Sequence, residues 1–153
     1  VERGILPTPL LYLSAFFDAT RQEYYDRLFA VTQHGSWDDW IVYFLNGVAR
    51  QAEDALSRAS RINVLLDNWH KETTLLSSSL PSQLIDKLAT NPYITIKQTT
   101  ETIDASYTTI ARAIEKLVSL GIVREISGSK RNRVYCAEQI LKILEEPTKI
   151  TAR

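Results

Sequence analysis

The spacing of apolar residues predicts that the first half of the chain is helical. Residues 10–19 are apolar enough for a buried helix, and Thr8-Pro9 suits its N-cap and first positions. A second helix, 21–31, is predicted to follow Thr20 and to stop at His34-Gly35, because glycine readily ends a helix. Its predicted inward face consists of Tyr24, Tyr25, Leu28 and Val31.

A third, much longer helix is predicted over residues 37–71. Ser36 and Asp39 form a variant of the capping box at its start. Apolar residues then recur at steps of three or four, with no proline among them. We call this series the seam: Trp37, Ile41, Phe44, Val48, Ala52, Ala55, Ala59, Ile62, Leu66 and Trp69. We expect the seam to pack either on the two preceding helices or on a second copy of the chain.

The second half of the chain predicts short helices and strands beyond a linker. Residues 73–79 interrupt the helical pattern, so we predict two domains, 1–72 and 80–153. The predicted helices of the second domain are 82–90, 96–103, the stretch between Ser106 and Gly121, and 138–145, and the predicted strands are 93–95, 122–126 and 133–136. The predicted buried residues are Leu84, Ile85, Leu88, Ala89, Ile110, Ala113, Ile114, Leu117, Val118, Ile140, Leu141 and Leu144.

The segment from Ser106 to Tyr135 carries the most specific pattern. Ser106 suits the N-cap of an amphipathic helix, and Gly121 stands where the chain leaves that helix. The two predicted strands after it flank a turn with three basic residues and no acidic one. This order is typical of a recognition helix followed by a wing. The fold predicted for the whole chain is therefore mainly α, with a long helix and a C-terminal winged helix-turn-helix that contains a small β-hairpin.

This pattern predicts a surface for double-stranded DNA. Residues near the start of a recognition helix reach base edges, and Arg112 is placed for a bidentate guanine contact. Cationic side chains of a wing can lie along the phosphate backbone. The predicted DNA-binding residues are Ser106, Tyr107, Thr108, Thr109, Arg112, Lys130, Arg131 and Arg133. The alternative is protein contact or an intramolecular regulatory role, which winged helices also perform.

Composition and charge narrow these interpretations. The net charge is zero, but residues 1–72 hold seven Lys/Arg and ten Asp/Glu, so the basic excess lies in the second half. No apolar run approaches the roughly 20 residues that span a bilayer, so we expect no membrane partner. Cys136 is the sole cysteine, which excludes an internal disulfide and fits a cytoplasmic location. Because the chain begins at Val1 and contains no methionine, we interpret it as a segment of a longer protein.

The sequence offers no set of catalytic or metal-ligating residues. His34 and His70 lie in different predicted elements, without cysteine or paired carboxylates at ligand spacing. We expect His34 at a helix end and His70 in solvent. There is no Gly-rich phosphate loop, and the three tryptophans suit a core or a groove better than a cofactor cage. We therefore expect no catalytic residue, metal or cofactor in this chain.

Three separated segments carry a family resemblance. They are Val-Glu-Arg-Gly-Ile-Leu-Pro-Thr-Pro-Leu-Leu-Tyr-Leu-Ser at 1–14, Arg-Gln-Glu-Tyr-Tyr-Asp-Arg-Leu at 21–28 and Gly-Ser-Trp-Asp-Asp-Trp-Ile-Val-Tyr-Phe-Leu-Asn-Gly-Val at 35–48. In this order they resemble Fic-family proteins, over the helices that follow the catalytic loop. Many bacterial members of that family carry a winged-helix tail.

The resemblance implies a parent protein that transfers AMP from ATP, with Mg, to a hydroxyl of a target protein. The family signature His-Pro-Phe-x-Asp/Glu-Gly-Asn-Gly-Arg is absent from this chain, as is the inhibitory Ser/Thr-x-x-x-Glu motif. We therefore expect a regulatory fragment without transferase activity. Helices cut from such a core lose a packing partner, so we expect an exposed patch and a homo-oligomer. The patch would comprise Leu10, Leu11, Leu13, Phe16 and Phe17.

Overall fold

The computed structural model describes residues 13–74, 78–129 and 131–147, and this part of the chain is mainly helical with one small antiparallel sheet. The helices are α1 Leu13–Ala19, α2 Arg21–His34, α3 Trp37–Thr74, α4 Leu80–Thr90, α5 Ile96–Thr100, α6 Tyr107–Ser119 and α7 Glu138–Glu145. The strands are β1 Tyr93–Thr95, β2 Arg124–Glu125 and β3 Val134–Cys136.

The contacts divide the chain into two compact units. The first includes the described residues up to Ala59, and the second runs from Ser60 to Glu146. The division falls within α3, whereas the sequence predicted a linker at 73–79. The last turns of α3 belong to the second unit because Trp69 is buried in that unit's core.

An aromatic cluster joins the three helices of the first unit. The Phe16 ring is only 3% exposed, and its centroid lies 5.2 Å from that of Tyr43. The Tyr43 hydroxyl lies 2.7 Å from Thr20 Oγ1. The prediction that Phe16 is exposed is therefore wrong, and Leu13 and Phe17 are half-buried, while Leu10 and Leu11 lie outside the described residues.

The helix boundaries of this unit follow local signals. Gly35 ends α2 with φ 66°, a left-handed conformation that glycine adopts without strain. His34 is the last residue of α2, as predicted. Of the predicted inward face of α2, Tyr24, Leu28 and Val31 are half-buried but Tyr25 is exposed, so that assignment is wrong.

In the first unit, α3 buries a different face from the predicted seam. Its inward residues are Tyr43, Gly47 and Gln51, with Trp40 half-buried beside them. The first three seam residues stay open to solvent: Trp37 is 60% exposed, Ile41 49% and Phe44 36%. In the second unit the seam does point inward, because Ile62, Leu66 and Trp69 pack in the core.

The second unit encloses its core between helices and the sheet. Side chains of α4 and α6 form its centre and are fully buried: Leu84, Ile85, Leu88, Ile110, Ile114 and Leu117. Ile140 of α7 closes it. For three residues the prediction of burial is wrong, because Ala89, Val118 and Leu144 are exposed. Ala89 and Val118 lie at the edges of their helices' apolar stripes, where periodicity alone does not determine burial, and Leu144 lies in the last turn of α7.

The sheet has the strand order β1-β3-β2, antiparallel throughout. Tyr135 of β3 pairs with Ile94 on one side and Glu125 on the other. The strands β2 and β3 are shorter than the predicted ranges 122–126 and 133–136. Ile122 and Val123 leave the sheet and enter the core instead.

His70 is not the solvated residue that the sequence predicted. Its Nδ1 lies 2.9 Å from Ser82 Oγ, and its Nε2 lies 3.1 Å from a carboxylate oxygen of Asp86. Both ring nitrogens therefore engage α4, and the imidazole ties the end of α3 to that helix.

Candidate nucleic-acid interface

A serine cap sets the start of α6. Ser106 Oγ accepts a hydrogen bond from the backbone N–H of Thr109 at 3.2 Å, which satisfies one of the free donors of the first turn. The hydroxyls of Thr108 and Thr109 lie 3.0 and 2.8 Å from the same oxygen. Three hydroxyls thus cluster at one exposed helix end, with the exposed Tyr107 beside them.

The far end of α6 is also locally determined. Gly121 has φ 69° and donates its N–H to the carbonyl of Val118, while Ile122 donates to that of Leu117. These two bonds form a Schellman motif, which lets the buried Ile122 follow the helix directly. With one face of α6 anchored in the core, the opposite face presents Thr108 and Arg112 to solvent.

The helix before α6, α5, is shorter than predicted. Thr95 caps α5, its hydroxyl accepting a hydrogen bond from the Gln98 N–H at 3.2 Å. However, α5 ends at Thr100 rather than 103. The hydroxyls of Thr99, Thr100 and Thr102 donate hydrogen bonds to backbone carbonyls three or four residues earlier. Side-chain bonds of this kind slightly destabilise a helix, which disfavours its continuation beyond Thr100.

A groove of about 530 Å³ brings α5, α6 and the β2–β3 hairpin together. Two of the predicted site residues, Tyr107 and Arg133, line it. Other residues that line it include Lys97, Glu101, Glu115 and Tyr135. The groove is the observation that connects the start of α6 with the hairpin.

Hydroxyls organise the loop that joins β2 to β3. Ser127 Oγ donates to Glu125 Oε1 and accepts from the Val134 N–H at 3.2 Å, closing the loop across its base. Ser129 Oγ donates to the Arg131 carbonyl at 2.8 Å. The Arg133 Nε donates to the Ser129 carbonyl at 3.3 Å, so this guanidinium is held against the loop.

The charges around this surface are mixed. Arg112 and Arg131 are exposed and form no ion pair with a carboxylate of the described residues. Arg124 is neutralised by Glu138, which accepts from its Nε at 2.8 Å. The hydrogen bond from Ser127 lowers the pKa of Glu125, so this carboxylate stays charged at the base of the hairpin.

The structure leaves seven of the eight predicted DNA-binding residues on the surface. Ser106, Tyr107, Thr108, Thr109, Arg112, Arg131 and Arg133 are exposed, and Lys130 lies outside the described residues. Sequence reasoning missed Lys97 and the acidic pair Glu101 and Glu115. Lys97 lies two residues after Thr95, in the first turn of α5, the helix that precedes α6. This position in the sequence is the feature from which Lys97 could have been predicted.

The described residues contain no group of three His, Cys, Asp or Glu side chains placed to hold a metal ion. None of the helices in the same residues is both long and apolar enough to cross a bilayer.

Comparison with known protein families finds no family model that matches the chain.

Proposed function

We propose that the second unit is a winged helix-turn-helix that binds double-stranded DNA, with α6 as recognition helix and the β2–β3 loop as wing. The order α4-β1-α5-α6-β2-β3 and the strand order β1-β3-β2 support this assignment. The observation that carries it is the shared groove, because Tyr107 of α6 and Arg133 of the hairpin line one concavity. A recognition helix and a wing must act from the same side of a domain to reach one duplex.

Each residue has a distinct role in this proposal. The hydroxyls of Ser106, Thr108 and Thr109 contact phosphates or bases at the start of α6. Arg112, one turn further on, donates two hydrogen bonds to a guanine edge, a contact that discriminates between bases by about 1–3 kcal/mol. Lys130, Arg131 and Arg133 follow the phosphate backbone and provide affinity that does not depend on sequence.

The salt dependence of binding tests the proposal. Fluorescence anisotropy of a labelled random-sequence duplex should give log affinity falling with log salt at a slope of about −2.7 to −4.5, as expected for three to five neutralised phosphates. The double variant Lys130→Glu with Arg131→Glu should bind no duplex. The control variant Lys71→Glu with Lys142→Glu makes the same charge change on exposed residues of α3 and α7. It should bind the duplex as tightly as the unsubstituted chain. Equal loss in both variants would contradict a specific wing contact.

We also propose that residues 1–72 derive from a Fic-family protein that transfers AMP to a protein target. The three quoted segments support this, together with the helices α1 to α3 over residues 13–74. ATP and Mg would belong to the parent, whose signature loop this chain lacks. Incubating the chain with labelled ATP should give no labelled protein, whereas extending it upstream to include the signature should restore transfer.

Protein docking is a second candidate function, favoured by the acidic residues of the groove. Glu101 and Glu115 lie there beside the rings of Tyr107 and Tyr135, a lining that suits a basic peptide better than phosphates. Duplex binding, measured for the unsubstituted chain and for Glu115→Lys, separates the two functions. The substitution should strengthen DNA binding if the groove faces DNA. Under the docking hypothesis, the unsubstituted chain binds no duplex at any salt concentration.

A further inference from the structure

The seam of α3 presents an apolar face that the first unit covers only in part: the Phe44 ring lies 6.3 Å from that of Phe17, and Val48, Ala52 and Ala55 are half-buried. Trp37, Ile41 and Phe44 lie on it, with Leu45 and Leu56 at its border, the last 72% exposed. At roughly 150–250 Å² for a whole large side chain, these exposed fractions give roughly 500 Å² of apolar surface, within the range of the largest patch on an ordinary monomer. A standard protein interface buries about 800 Å² on each partner, so the face accounts for most of one such interface.

The order of residue sizes along this face is self-complementary. Its N-terminal end carries the large residues Trp37, Ile41 and Phe44, and its C-terminal end carries Ala52, Ala55 and Ala59. When two copies are laid antiparallel with Val48 opposite Val48, every large residue meets an alanine. The pairs are Trp37 with Ala59, Ile41 with Ala55 and Phe44 with Ala52.

We infer that this face packs on the same face of a second copy of the chain, with the two helices antiparallel and a two-fold axis at Val48. In a two-fold interface each contact occurs twice, so a surface must match itself, and this match of large to small residues allows close packing along about six turns. A parallel pair would place ring against ring at one end and leave alanine facing alanine at the other. The resulting gap would forfeit contacts at the alanine end.

Oligomeric state is the first test, and it needs no DNA, so its outcome is independent of the proposed function. Sedimentation equilibrium of the chain at micromolar concentration should give twice the monomer mass of 17.4 kDa. Ile41→Glu should raise the dimer dissociation constant at least about 30-fold, because it places a charge in a desolvated contact. Val64→Glu, at a 58% exposed valine of α3 beyond the pairing stretch, should leave the dimer intact.

The register is tested by exchanging sizes across the axis. Ala52→Phe alone should dissociate the dimer, because two phenylalanines then meet where one fitted. Adding Phe44→Ala in the same chain should restore it, since the pair is merely reversed. Far-UV circular dichroism of each variant should match the parent, which separates loss of pairing from loss of folding.

Cysteine cross-linking gives an independent measure of direction. Mixed Phe44→Cys and Ala52→Cys chains should form a disulfide-linked heterodimer, whereas either variant alone should not, since a disulfide needs Cβ atoms about 3.5–4.5 Å apart. The native Cys136 is buried in the second unit, so it should not contribute to the cross-linked product. Homodimer cross-links, or a parent that stays monomeric while fully helical, would overturn the inference. A monomer would leave the face for a different protein.

Discussion

Gly47 lies directly against the ring of Phe16. A Cβ built on Gly47 would come within 2.6 Å of Phe16 Cδ1 and 2.7 Å of Cε1. The absence of a side chain at this point of α3 lets the ring of α1 reach the helix backbone and enter the cluster with Tyr43. The glycine therefore serves close packing in the middle of a helix, a position where it otherwise costs stability.

Gly47→Ala should destabilise the first unit despite its better helix propensity. The gain of roughly 1 kcal/mol in propensity is outweighed by overpacking, which costs about 1–3 kcal/mol when a ring must move. Urea denaturation followed by circular dichroism should show a lower midpoint. Asn46→Ala, at the exposed neighbouring position, should keep or raise the midpoint. A higher midpoint for the Gly47 variant would mean that the Phe16 ring moves aside without cost.

Ser106→Ala should lower the free energy of unfolding of the second unit by about 1 kcal/mol, because the Thr109 N–H loses its acceptor. Ser106→Asp should retain that stability, since aspartate is an equally good N-cap. Under the proposed function, the same variant should weaken DNA binding by adding a negative charge to the exposed end of α6. Calorimetry and anisotropy on the two variants measure the two effects separately. Tight DNA binding by the aspartate variant would remove Ser106 from the interface.

Glu125 should titrate below its ordinary range. The Ser127 hydrogen bond is the main reason that the pKa is lowered, with a smaller contribution from Arg133. Because the pKa is lower in the folded state, the carboxylate favours the closed hairpin above its unfolded pKa, and this contribution is lost as pH falls through the folded pKa. Carboxyl ¹³C shifts should report the titration directly. In Ser127→Ala the pKa should rise toward its usual value, and no change would refute this role of the hydroxyl.

Cys136 should react slowly in the folded protein. Burial in β3 raises the pKa of its thiol, with Glu138 adding to the effect. The folded state therefore disfavours the thiolate. The associated stability is complete below the unfolded thiol pKa and is lost as pH rises through the folded value. Alkylation by iodoacetamide at mildly alkaline pH should be slow in buffer and fast in urea. Because the chain has one cysteine, the entire signal belongs to this residue.

Local signals in the sequence predicted most element boundaries. The strand β1 and the helix α7 match their predicted ranges, since Pro92 and a strong apolar period mark them. The cap Ser106 and the helix-ending glycines Gly35 and Gly121 were also predicted. Such features involve residues within about five positions of each other, so the chain specifies them without reference to the rest of the fold.

Contacts between distant elements decided the remainder. Along the first half of α3, one apolar stripe contains Trp37 and Ile41 and another, about 110° round the helix, contains Trp40 and Tyr43. Periodicity predicts a helix from either stripe equally well. The Phe16 ring settles which stripe is buried, because it packs against Gly47 on the second.

The amino-acid sequence by itself determined that this chain forms long and short helices, where most of them begin and end, and that a cationic hairpin follows a serine-capped helix. Only the tertiary structure decided which face of α3 is covered, where the two units divide, and that Tyr107 and Arg133 line one groove with two glutamates. The physical reason is that helix formation and capping depend on neighbouring residues, whereas burial depends on which distant side chains fit together.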